Sequence, residues 1–400
     1  MADTTKDIWN DDDGEAAEAA ATGKPRRKAL RGFLLFLLTL VAVFGVVVFA
    51  AYRDGTGFDV LRRYLSYGSA EKAGGETVYN YDASASNRFA LLGEHLVVLS
   101  DTRLRVLDVG GGEVWSTAVN MTAPALHSGG GLAVAYDVGG TALYVVDASG
   151  QRMELHTTED EPFISATLNG DGWLAVTAKK KNYKGCVSVY NTDMELVFAF
   201  QSSRRFVTDA WVAGRGGGLA AVTLGQESGT FVSNVVLYSL KETEPIADYD
   251  VENGLVAAIG WVGERFAAVS DTSLTFADEK GAVTGHYDYG GAHLREYTLE
   301  GDGFAAVLLS RYQSGSVGRL VTVSADGTEL GSLEVSEEVQ AISASGKYLA
   351  VLYLDRLVIY NQALEAYATL KGTEAVRRVL MCSDGSALLL SSAQAKRFLP

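Results

Sequence analysis

Three segments decide the fold: G-D-G-W-L-A-V-T at 170–177, G-G-G-L-A-A-V-T at 216–223 and G-D-G-F-A-A-V-L at 301–308. Each is a glycine-rich turn followed by a run that is apolar at nearly every position, as expected of a short strand covered on both faces. The unit recurs as G-E-H-L-V-V-L-S (93–100), G-G-G-L-A-V-A-Y (129–136), G-E-R-F-A-A-V-S (263–270), S-G-K-Y-L-A-V-L (345–352) and D-G-S-A-L-L-L-S (384–391), eight in all. With Leu96, Leu132, Leu174, Leu219, Phe266, Phe304, Leu349 and Leu388 as equivalent positions, the spacings are 36, 42, 45, 47, 38, 45 and 39 residues. A period near 40–45 with four strands per unit is that of a β-propeller blade. The expectation is an all-β, eight-bladed propeller over residues 76–400.

Working outward, each unit continues with a third alternating strand and a tight turn, as in R-L-R-V-L-D-V-G-G-G (103–112), V-S-V-Y-N-T-D (187–193) and R-L-V-T-V-S-A-D-G (319–327). Asp, Asn and Gly there supply the left-handed positions of a hairpin to a fourth strand. The last unit reaches Pro400 with only its inner strands, while E-T-V-Y-N-Y-D (76–82) alternates and belongs to no blade. Pairing of 76–82 beside 393–398 closes the ring and removes the open edges.

Residues 33–52, F-L-L-F-L-L-T-L-V-A-V-F-G-V-V-V-F-A-A-Y, carry no charge. A helix of that length, rising about 1.5 Å per residue, crosses a bilayer core, so 32–53 is read as a single transmembrane helix. Lys24, Arg26, Arg27, Lys28 and Arg31 crowd its N-terminal side, against a thinner mixture of Arg53, Asp54, Asp59, Arg62, Arg63, Glu71 and Lys72 beyond it. The positive-inside rule then puts the tail 1–31 in the cytoplasm and the propeller outside the cell membrane. Val48-Phe49-Ala50 would suit a cleaved leader, but the long apolar core and the acidic start D-D-D-G-E (11–15) favour a retained anchor. The tail is too poor in large apolar groups to fold and is expected to be disordered, with Ile8-Trp9 as a potential docking peptide. In 54–75, Phe58, Leu61 and Leu65 fall on one helical stripe, predicting a juxtamembrane helix and linker.

The formal charge of −15 falls almost wholly on the outer part, because the tail to residue 31 has six cations against seven acids. Such a surface repels nucleic acid. Cys186 and Cys382 are too few for a disulfide framework and are read as buried free thiols, with one bridge between them left open. His95, His127, His156, His286 and His293 fall in separate units without metal-ligand spacing. N-G-D-G (169–172), E-G-D-G (300–303) and S-D-G-S (383–386) are fragments of calcium loops at best and are read as hairpin turns. G-R-G-G-G (214–218) lacks the Lys-Ser/Thr of a phosphate loop, and no G-x-S-x-G elbow occurs.

V-L-D-V-G-G-G-E-V-W at 106–115 resembles the tryptophan-docking turn A-L-D-x-x-T-G-x-x-x-W of quinoprotein propellers. From residue 76 onward the chain is similar to the quinoprotein-like and YVTN-like β-propellers. Its whole layout resembles uncharacterised bacterial propeller proteins anchored by a single membrane pass. The scaffold propeller of the outer-membrane insertion machinery has a similar ring but carries a lipid anchor. The resemblance implies the fold; the adjacent cysteine pair of the quinone-dependent enzymes is missing, so it implies no quinone cofactor, and none is expected.

Propeller connectivity puts the loops between second and third strands on the same face as the starts of the inner strands. Three of those loops are long: 178–185 with Lys179, Lys180, Lys181, Tyr183 and Lys184; 224–234 with Phe231; and 310–319 with Arg311 and Tyr312. The inner-strand starts add Arg88, Arg204, Arg205, His293, Arg295, Arg377 and Arg378. A cationic, aromatic rim on an acidic domain suits a protein or an anionic envelope polymer. The expected function is therefore a non-enzymatic, membrane-anchored scaffold or sensor. The alternative is an extracytoplasmic hydrolase, lyase or quinoprotein-type oxidoreductase whose groups converge in the central funnel.

Overall fold

The computed structural model describes residues 34–46 and 78–400, except 252 and 253. The chain divides into two compact units between Leu61 and Arg62. The expected tail 1–31, the linker 54–75 and both ends of the expected span lie outside the described residues. Residues 34–46 form an α-helix whose side chains are all exposed, and Thr39 Oγ1 donates back to the Leu35 carbonyl over 2.8 Å. Among the described residues, no helix is long and apolar enough to cross a membrane.

In the second unit the strands sort into eight four-stranded antiparallel sheets. Seven blades are continuous in sequence, at 88–118, 124–156, 163–202, 206–250, 256–288, 293–335 and 339–371. Blade 8 takes three strands from 378–398, and its outer strand is Val78–Asn80. Val78, Tyr79 and Asn80 lie opposite Lys396, Ala395 and Gln394. Tyr81 adds hydrogen bonds from its hydroxyl to the carbonyls of Ser391 and Gln394, 2.8 Å each. Within the described residues, the closure expected for 76–82 is made by Val78–Asn80.

Side chains explain the stacking. The second strands, such as Leu132–Asp137 and Phe304–Ser310, are buried almost throughout because each blade presents both faces to its neighbours. The apolar clusters accordingly lie between blades: Phe304, Leu308 and Leu320 of blade 6 pack on Leu349, Val351 and Tyr353 of blade 7. Tyr79, Leu388 and Leu390 of blade 8 meet Leu96 and Val98 of blade 1, which completes the ring. The fourth strands are exposed on alternate residues and form the outside wall.

The hairpins into those outer strands repeat one device. Asp108, Asn191, Asp278 and Asn361 each accept backbone N–H groups two and four residues ahead, which fixes the turn. In blade 1 this turn aims Trp115 at blade 2. A Cβ added to Gly150, whose φ is +138°, would sit 2.9 Å from the indole, so glycine is required there by space and by backbone. The turn that resembles the tryptophan-docking motif thus joins two blades. Cys186 and Cys382 are free and half-buried rather than fully buried.

Candidate functional site

The loop face carries two separate groups of the expected residues. The first lies on blades 3 and 4. Segment 224–234 is not a loop: the second and third strands of blade 4 run on as Leu219–Glu227 and Thr230–Tyr238, paired to Glu227 opposite Thr230. Alternating side chains with a Ser228-Gly229 turn, φ +50° and +89°, extend the hairpin where a loop was expected. Phe231 is consequently a strand residue, 60% exposed.

Beside the hairpin stand Tyr183 and Phe206, 43% and 53% exposed, with Lys184 Nζ 4.7 Å from the Phe206 ring centroid. Lys179 and Lys181 are exposed. Lys180 pairs with Glu161 at 2.9 Å, which raises the lysine pKa and lowers that of the carboxylate, chiefly through the hydrogen bond itself. Arg205, at the start of the inner strand of blade 4, is held by the same hairpin. Its Nη1 donates to Glu227 over 2.8 Å and its Nη2 to the Val232 carbonyl over 2.9 Å, so it braces the hairpin.

The second group lies on blades 6 to 8. Arg295, Glu296, Glu338, Gln340 and Arg377 line an open cavity of about 490 Å³. Arg295 Nη1 donates to the Gly315 carbonyl over 2.8 Å, which ties it to the long loop of its own blade. Arg378 stands close enough to Arg88 of blade 1 for the two charges to be felt; burial first, then Arg378, lowers the Arg88 pKa. Arg311 belongs to a neighbouring cavity of about 340 Å³, with Gly290, Gly291, Arg319 and Glu334. Tyr312 projects into solvent, 62% exposed.

Sequence reading missed the inner-strand carboxylates. In blades 3 to 7 the inner strand carries a β-bulge at one position, so that Ile164, Thr208, Ala257, Arg295 and Gln340 are the unpaired residues. The next residues, Ser165, Asp209, Ala258, Glu296 and Ala341, are register equivalents. Asp209 accepts from Ser165 Oγ (2.5 Å), the Ala210 N–H (2.9 Å) and the Ile259 N–H of blade 5 (3.2 Å). Burial pushes its pKa up to about 6, against those three bonds. Glu296 likewise accepts from the Ile342 N–H of blade 7, and its pKa is raised by burial while Arg378 and Arg295 oppose the rise. On blade 2, His127 Nδ1 accepts the Leu168 N–H of blade 3 (3.1 Å), and burial lowers its pKa to about 4. It is neutral at physiological pH and packs edge-on against Trp211, 5.3 Å between centroids. The signal was available: aligning H-L-R-E-Y-T with F-V-T-D-A-W-V superimposes the two acids.

Among the described residues, no group of three or more His, Cys, Asp or Glu is placed to hold a metal ion. Residues 67–394 match the family of unknown function DUF5711. The chain belongs to that family. Among solved structures it is similar to the computationally designed Ika8 protein, with a TM-score of 0.59 and 12% identity over 82% of this chain and 100% of that one. It is also similar to the C-terminal WD40 domain of Sif2, with a TM-score of 0.57 and 14% identity over 82% and 98%. A third likeness is to BamB from Moraxella catarrhalis, with a TM-score of 0.51 and 13% identity over 80% and 98%. Identities this low carry the propeller fold alone. No curated protein matches the chain.

Proposed function

We propose that this member of DUF5711 is a membrane-tethered, non-enzymatic scaffold or sensor whose propeller docks an acidic protein segment on its loop face. The observation that carries the reading is the rim of blades 3 and 4. There Tyr183, Phe206 and Phe231 expose aromatic rings beside Lys179, Lys181 and Lys184, on a chain of net charge −15. Exposed aromatic anchors ringed by one sign of charge fit a protein interface, and the positive sign fits an acidic partner. Tethering is supported by the uncharged run 33–52, of which 34–46 is helical with every apolar side chain exposed. The charge asymmetry around that run supports a cytoplasmic N-terminus with the propeller outside. Asp209 and Glu296 favour the enzymatic reading by their raised pKa values, but both are engaged in bonds between blades.

Photo-cross-linking in intact cells tests the docking face. A photoreactive residue in place of Phe231 or Tyr183 is expected to give a discrete protein adduct, and one at Leu196, on the opposite hairpin turns, is not. Reversing Lys179, Lys181 and Lys184 to Glu should abolish the adduct. Equal adducts from both faces, or a polydisperse polymer adduct, would overturn the reading. Topology is checked separately: Ser69→Cys should react with a membrane-impermeant thiol reagent in whole cells, and Thr22→Cys should not.

A further inference from the structure

The cavity of blades 6 to 8 is lined by charges of both signs, and two of them have no partner among the described residues. Among the described residues, the Arg377 guanidinium has no side-chain hydrogen bond or ion pair, and neither has the Glu338 carboxylate, although both line the same cavity of about 490 Å³. Four opposite charges that do pair are Arg356 with Glu337, Arg205 with Glu227, Arg105 with Glu113 and Lys180 with Glu161. The bulged residue of the inner strand is Ile, Thr and Ala in blades 3, 4 and 5, and becomes Arg295 and Gln340 in blades 6 and 7. A bulge re-aims a side chain, and only here do two adjacent blades aim long polar ones into one space. Gln340 lines the same cavity, and its Oε1 is turned inward, buried without a donor. Glu296 is not such a group, because the Ile342 N–H, Arg378 and Arg295 already act on it.

We propose that this cavity binds a small zwitterion of the α-amino-acid type, a free amino acid or a short peptide, with its carboxylate on Arg377 and Arg295 and its ammonium on Glu338. A guanidinium pair matches a carboxylate through charge-assisted bonds, and a separate carboxylate matches an ammonium. Leu308 and Val339 line the same cavity and give an apolar side chain a wall to pack on. The inference does not rest on the rim of blades 3 and 4, which lies on other blades and uses other residues.

Isothermal titration of the full chain in detergent micelles, with four probes, tests it. L-Leucine or the dipeptide Ala-Leu should bind, and which of them does names the source of the zwitterion. L-Leucinamide, lacking the carboxylate, and N-acetyl-L-leucine, lacking the ammonium, should each bind at least tenfold more weakly. Arg377→Ala and Glu338→Gln should each cost tenfold or more in affinity without moving the melting temperature of the free protein, and Thr208→Ala, at the equivalent bulge of blade 4, should cost nothing. Binding of neither zwitterion at millimolar concentration would overturn the proposal. So would equal binding of N-acetyl-L-leucine, which would make this a plain anion site, or affinities indifferent to Arg377→Ala and Glu338→Gln.

Discussion

In blade 4 the bulged inner strand presents Thr208 and then Asp209; in blade 6 the equivalent residues are Arg295 and Glu296. Both acids accept a backbone N–H from the following blade, Ile259 in one case and Ile342 in the other. The latch is therefore a property of the repeat. Asp209 is spent within the ring: Ser165 and Ala210 complete its bonds, and Arg205 at the same blade's start is pinned to Glu227 and Val232. Near Glu296 the cavity holds Arg377 and Glu338 without partners. One blade shows how the ring is held, and the other shows where the same framework leaves groups free for something else. Stability and recognition are thus separable by position.

The comparison holds only while all eight blades share one ring, and the largest effect should come from breaking that ring. Tyr79 is fully buried in the strand that completes blade 8. Tyr79→Ala removes an aromatic side chain from the seam with blade 1 and should cost about 3–5 kcal/mol. Thermal or urea unfolding of the full chain in detergent measures it, with Tyr312→Ala, an exposed aromatic, as the matched substitution expected to stay within about 0.5 kcal/mol. A small effect of Tyr79→Ala would mean that blade 8 is held without its N-terminal strand.

Next in size is a contrast between two arginines at the starts of inner strands. Arg205→Ala removes the bond to the Val232 carbonyl and should cost about 1–3 kcal/mol, most of it from that bond, because the exposed Glu227 end is screened by solvent. Arg377→Ala should leave the unfolding midpoint within about 0.5 kcal/mol of wild type. Equal losses at both positions would erase the distinction between a brace and a free group.

Both arginines stood in the sequence as the same kind of residue, a cation at an inner-strand start, and nothing local separates them. The ring was legible because its signal is repeated eight times: the glycine turn, the buried second strand and the Asx hairpin obey local rules, and even the closing strand could be found as an alternating segment left over. Segment 224–234 was misread because Gly225 and Ser228-Gly229 look like loop residues, whereas strand pairing with Val232 and Thr230 extends the hairpin. Asp209 was invisible for another reason. Its partners Ser165 and Ile259 lie 44 and 50 residues away, so only the closed ring brings them together. The cavity of blades 6 to 8 had the same obstacle, although Arg295 and Arg377 were visible as cations.

The smallest effect is a test of the two register-equivalent acids by pH. Asp209 has a folded pKa of about 6, raised by burial above the ordinary value of 3.8. Above pH 6 it is ionised in both folded and unfolded chains, and its burial destabilises the fold. As the pH falls through 6 the folded chain takes up a proton that the unfolded chain does not yet hold, so the fold gains stability until about pH 4. Asp209→Asn keeps an acceptor for the Ile259 N–H and carries no charge. It should therefore be more stable than wild type by about 1–3 kcal/mol at pH 7.5, with the difference shrinking toward zero by pH 4.5. Glu296→Gln should shift stability in the same direction by less, because Arg378 and Arg295 already favour the charged form of Glu296. Unfolding measured at pH 4.5, 6 and 7.5 for both variants decides it. If Asp209→Asn is the less stable protein at pH 7.5, the buried charge is itself holding blades 3, 4 and 5 together, and the two acids differ in more than their neighbours.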